Sequence, residues 1–203
     1  MTENFSAHDP GRFADALRRF DEENARDPNT EVVVGKEIPR ELIYSQWLTE
    51  WVLRLCPNAS EELRLAARSQ HICRWMIPRA SFPMTRAGYL QWRQKLKEFH
   101  AEKSGAILSE LGYPESVIQR VRQLNLKKCP PDDHEAQVLE DALCLVFLER
   151  QLGALATTTN EEKVINALRK SWVKMSPAGR AEALKLTYSP VEKALLDRAL
   201  ADP

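Results

Sequence analysis

The carboxylate that most needs explaining in this chain is Asp141. At 100° per residue its neighbours are Val138, Leu145, Leu148 and Leu152, while Leu139, Leu143, Val146 and Phe147 cover the opposite side. A helix apolar nearly all round is a buried one. An acid at its centre is costly unless a cation or a metal ion accompanies it. Two other inward-facing groups are candidate partners. Leu63, Ala67, Gln70, His71 and Arg74 share one helical sector, so an apolar stripe there ends in three polar side chains. His100 falls among Leu96, Ile107 and Leu111, with Arg93 on the same side. Asp141 can therefore meet an imidazole, or form a structural pair with Arg74 or Arg93. His134, next to Asp132 and Asp133, reads as a solvated residue of a helix start.

Prolines and capping residues predict about nine helices to position these groups. The first spans 10–25. The loop DPNTEVVVGK follows, its valines forming a short extended piece without a partner strand. Pro39 suits the first turn of a helix through Leu55, and Ser60 caps one continuing to Trp75. MIPRASFPM, with two prolines, is a loop. A long helix from Thr85 ends at Gly112, a left-handed C-cap, and Pro114 opens another to Leu124. Asp132 and Glu135 are spaced as a capping box. Thr159, Ser176-Pro177 and Ser189-Pro190 start the last three helices. No period-2 segment is long enough to build a sheet. The reading is an all-α single domain with 160–203 as a C-terminal helical extension.

Composition narrows the function classes. Lys and Arg total 29 and Asp and Glu total 29, so the cationic excess of a broad nucleic-acid surface is missing. The four cysteines form no CxxC pair and suggest neither a zinc finger nor a disulfide framework. MTENFSAHDP has no cationic start or apolar core of a signal peptide. The longest apolar run, 142–148, is too short to span a bilayer. These features predict a cytoplasmic protein with no membrane partner.

The placement of His71, His100 and Asp141 resembles the HD-domain phosphohydrolases. That superfamily carries a histidine on an early helix, a His-Asp doublet on the next and an aspartate on a late central helix. FHAEKSGAILSELGYPESVIQRV resembles the segment that many signalling members open with an added histidine, and LEDALCLVFLE the helix of the last aspartate. Two positions depart: Ile72 follows His71 where the doublet aspartate belongs, and Tyr44-Ser45-Gln46 occupies the place of the first histidine. Over most of its length the chain is more similar to an uncharacterised bacterial and fungal family classed as a domain of unknown function. DPNTE, ELIYSQWLTEW, QHICRWMIPR, GYLQWRQKLKEFH, LEDALCLVFLE and SWVKMS carry that likeness.

The HD resemblance implies a divalent metal (Mn, Fe, Co or Zn) held by His71, His100 and Asp141, activating water to attack a small phosphorylated or nucleotide substrate. Gln70, Arg74, Arg79, Arg86, Arg93 and Lys127 are then candidates to hold substrate oxygens, and Tyr89 and Trp92 to stack on a ring. A second reading is a module without chemistry, whose cations bind a small phosphorylated or carboxylated ligand, and a third is a helical interaction scaffold, which needs only amphipathic helices.

Overall fold

Helix α1, Pro10–Asn24, starts on an extended Asp9 whose carboxylate accepts from the amides of Gly11 and Arg12, with Pro10 in the first turn. It buries Phe13, Ala16, Phe20 and Asn24, an i, i+3, i+4 stripe. The structure is a computed structural model that describes residues 9–201. Most of MTENFSAHDP and the last two residues lie outside that range.

The valine segment has a partner. β1 (Thr30–Val33) pairs antiparallel with β2 (Lys36–Pro39), Val33 opposite Lys36. Val34 (φ 50°) and Gly35 (φ 74°) make the two-residue turn in left-handed conformation, as the twist of a tight hairpin requires. Four residues of Lys36–Pro39 are too few to show alternation, so the strand is invisible to periodicity.

Helix α2, Arg40–Leu55, starts just after Pro39, and its cap comes from a distance. Asp27 Oδ2 accepts the Glu41 amide at 3.1 Å, while Asp27 Oδ1 accepts from Asn29. Helix α3, Glu61–Ser69, is capped by Ser60 but stops well short of Trp75. Buried Asn24 accepts the Cys73 amide at 3.1 Å, and Cys73 turns left-handed (φ 53°). A helix cannot continue through that residue. Two short 3-10 turns follow, Arg74–Met76 and Arg79–Ser81.

Helix α4, Arg86–Glu110, is capped by Thr85, and Gly112 (φ 71°) sits just past its end as the sequence predicts. Helix α5 spans Glu115–Leu126 and ends in left-handed Lys127. Helix α6 covers His134–Val146, capped by Asp133 and not Asp132. A π turn, Phe147–Gln151, then separates it from α7, Leu152–Thr158. Helix α8 (Glu161–Lys174) is capped by Asn160, one residue beyond the expected Thr159. Helices α9 (Pro177–Ala183) and α10 (Pro190–Ala201) start at the two Ser-Pro pairs. The described residues thus hold ten α-helices and one small hairpin, an all-α fold. The extra helix arises because the π turn splits a run that periodicity reads as one.

The chain divides into two compact units, the described part of residues 1–50 with 58–131, and residues 51–57 with 132–203. The expected extension, 160–203, falls wholly within the second. In the first unit Phe20, Leu63, Leu65, Leu96, Leu108 and Leu124 are fully buried, each contributing about 1.5–3 kcal/mol of apolar transfer. Asn125 joins three helices there, since Nδ2 donates to Ser69 Oγ of α3 and Ser104 Oγ of α4. A bidentate Arg68–Asp21 pair, 2.6 and 2.7 Å, ties α3 to α1. In the second unit α6 packs on α8 and α9, and α10 on α8, burying Leu145, Val164, Leu168 and Leu196.

Candidate site around His71 in the first unit

The polar residues at the end of α3 do gather, although not on a helix. Gln70 is its C-cap, His71 lies in the turn beyond, and Arg74 opens the first 3-10 turn. His71 stacks on Tyr44 of α2, ring centroids 4.4 Å apart and planes within 15°. The His100 ring of α4 lies 5.7 Å from that of His71. His100 keeps 2% of its surface exposed and Gln70 4%, whereas 23% of the His71 side chain is exposed. His71 is the member of the pair that reaches the surface.

Glu41, one turn before Tyr44 on α2, faces the same group. Its carboxylate stands 3.6 Å from His71 Nδ1 and 3.9 Å from Arg74 Nε, with 8% of the side chain exposed. Neither separation is a hydrogen bond. Burial pushes the Glu41 carboxyl up to about 7; Arg74 opposes the rise and Asp27 adds to it. Arg74 lies over the Trp92 ring at 4.8 Å, and Trp92 Nε1 donates to the Ile77 carbonyl at 2.8 Å, so that platform is fixed.

The cations set the charge of the place. Burial holds His71 well below its ordinary value, and Arg74, Arg93 and Lys127 push it further down. His100 is held down by burial, then by His71 and Arg74, against a hydrogen bond to the Gln70 backbone. Both imidazoles are neutral at pH 7. Two neutral rings and three cations face Glu41, with Asp27 beside it, so the cations outnumber the carboxylates in a chain of zero net charge.

The remaining candidates are placed otherwise. The Arg79 guanidinium donates to the carbonyls of Phe82, Pro83 and Thr85, where it clamps the loop instead of facing a ligand. Arg86 is an exposed residue of the first turn of α4. Tyr89 is exposed, 5.8 Å from Trp92, and its hydroxyl accepts from Arg93 at 3.5 Å.

Asp141 is buried, as its helix predicts, but its partners are neither imidazole nor arginine. Within the second unit its carboxylate accepts from the Ser176 amide at 2.8 Å, the Ser176 hydroxyl and Gln137 Nε2 at 2.9 Å. The same Ser176 oxygen accepts the Gly179 amide. Asp141 thus backs the N-terminus of α9, and the serine hydroxyl passes its capping bond on to the acid. Among the described residues no three His, Cys, Asp or Glu side chains are grouped to hold a metal ion.

Sequence reasoning passed over Glu41 and Tyr44. Their signal was available: Glu41, Tyr44, Ser45 and Leu48 follow i, i+3, i+4, i+7, and all four are buried. An acid heading an apolar stripe asks the same question as Asp141. Tyr44 also stands where the resemblance places a histidine, and there it stacks on His71.

The fold and this cluster define a helical protein with a buried imidazole, His100, behind a half-buried one, His71, and cations nearby. The chain matches the family described as Domain of unknown function (DUF4202) over residues 14–196 and belongs to that family. No curated protein and no solved structure gives a match. No helix among the described residues is long and apolar enough to cross a membrane.

Proposed function

We propose that the first unit binds a small phosphorylated ligand over His71. The observation that carries this reading is Arg74 set beside His71 and Glu41, with Arg93 and Lys127 near enough to push the imidazole further down, against the carboxylates of Glu41 and Asp27. A phosphate dianion supplies the charge that such a cluster lacks. Guanidinium groups grip its oxygens as planar forks, and Lys127 adds a point charge. The Trp92 ring keeps Arg74 in place, which lowers the entropy lost on binding. An arriving anion reverses the field on His71, so binding draws a proton onto the site.

Metal-assisted hydrolysis is the second reading. The neutral His71–His100 pair beside Glu41 favours it, since two imidazoles and a carboxylate are metal-ligand chemistry. The donor set fits poorly: Asp141 gives both oxygens to Ser176 and Gln137, and no three-ligand group forms among the described residues. No reaction step is therefore assigned to a metal.

Melting curves of chelator-treated protein test the first reading. Phosphate esters at about a hundred times Kd stabilise a binding protein by about 2.7 kcal/mol, a rise in Tm of several degrees. Arg74→Gln is expected to remove most of that rise. No stabilisation by any phosphate ester, or an equal rise in Arg74→Gln, would count against the proposal.

A further inference from the structure

Two acceptors behind His71 have nothing to accept from. The His100 ring makes a hydrogen bond with the Gln70 backbone through one nitrogen, while Nε2, wholly out of solvent, has no partner. The Gln70 side chain, also buried, leaves Oε1 unpartnered. Arg74 and Arg93 are close enough to press on His100, yet none of the hydrogen bonds found there serves either atom. A buried acceptor without a donor carries the full cost of its lost hydration. A phosphate dianion brings acceptors only, so the feature that holds phosphate cannot satisfy them.

We infer that the ligand is a phosphate ester carrying free hydroxyls, of the phosphorylated polyol or sugar class, and that His100 Nε2 and Gln70 Oε1 select it by each accepting from one of them. This rests on the phosphate-binding reading and goes beyond it by naming the substrate class. His71 makes the arrangement workable. Its ring reaches the surface and lies 5.7 Å from that of His100, so it is the group that a short ligand must pass to reach the two acceptors. Selection by built acceptors is the strong kind: an analogue without the hydroxyls leaves the buried atoms unpaired. An ordered water on the two acceptors is the competing explanation, and it predicts no preference.

Calorimetric titration of the full-length protein with glycerol 3-phosphate and with n-propyl phosphate separates these possibilities, since the two share a three-carbon skeleton and differ in hydroxyls. Wild type is expected to prefer glycerol 3-phosphate by roughly tenfold or more. In His100→Phe the ratio of the two affinities falls towards one. Gln70→Met, closer in shape to the native residue and safer for folding, is expected to move the ratio the same way. Equal affinities in wild type, or an unchanged ratio in both variants, overturn the hydroxyl selection and leave phosphate binding standing. Failure of both esters to bind overturns the phosphate reading itself.

Discussion

At the scale of the residue, Glu41 is the group whose environment departs most usefully from the ordinary. Folding moves its carboxyl from an ordinary value of 4.5 up to about 7. The folded state therefore holds a proton that the unfolded state has released. Stability from this group is fully present below about 4.5 and is lost as pH rises through about 7. Glu41→Gln keeps the shape and removes the titration. It is expected to be more stable than wild type at pH 8, by on the order of 3 kcal/mol, and to show little advantage at pH 4.5. Urea unfolding at the two pH values measures this, and an equal difference at both would contradict it. The imidazoles act with opposite sign: His71 and His100 stay neutral when folded, so their cost enters as pH falls below 6.5. Comparing variant with wild type isolates Glu41 from both.

At the scale of the element, Asp141 and the loop after α3 show what helical periodicity captures and what it misses. The stripe around Asp141 revealed that the acid is buried and needs partners. It could not reveal that the partners are the amide and hydroxyl of Ser176, 35 positions on, because capping from a distance leaves no mark on a helical wheel. Asp141→Ala strands those donors and is expected to cost about 2–4 kcal/mol, read by urea unfolding, without abolishing phosphate binding in the first unit. If it abolished binding in protein still folded at the assay temperature, the assignment of Asp141 to α9 capping alone would be wrong. On α3 the wheel continued past Ser69, although the helix ends there and Cys73, held by Asn24, turns left-handed beyond it; the grouping of Gln70, His71 and Arg74 survived because a tight turn also keeps close residues together. The loop beyond rests on α4 through Gly88, where an added Cβ would lie 2.2 Å from the Pro83 carbonyl oxygen. Backbone cannot yield as a flexible side chain does, so Gly88→Ala is expected to destabilise by about 1–3 kcal/mol and to speed proteolysis within 76–84. Unchanged cleavage would show that the loop is held elsewhere, for instance by the Arg79 clamp alone.

At the scale of the whole molecule, the all-α class was legible because caps and prolines mark helix ends locally, and the hairpin was missed because four-residue strands carry too few side chains to show a period. The division into two units and the meeting of α2 with the turn after α3 depend on tertiary contacts that no local signal reports, which is why Glu41 and Tyr44 were passed over while His71 and His100 were found. Balanced charge has a consequence at this scale: with 29 cationic and 29 anionic side chains, the chain is expected to show no measurable affinity for random duplex DNA in fluorescence anisotropy at 0.15 M salt. Micromolar binding there would mean that the cations around His71 belong to a larger surface. The central claim is that these cations bind phosphate unaided, and phosphate titration of chelator-treated protein by calorimetry tests it most directly. Saturable binding near one equivalent, with proton uptake, is expected in wild type and is lost in Arg74→Gln. Heat that appears only after a divalent metal is restored, or none at all, would contradict it.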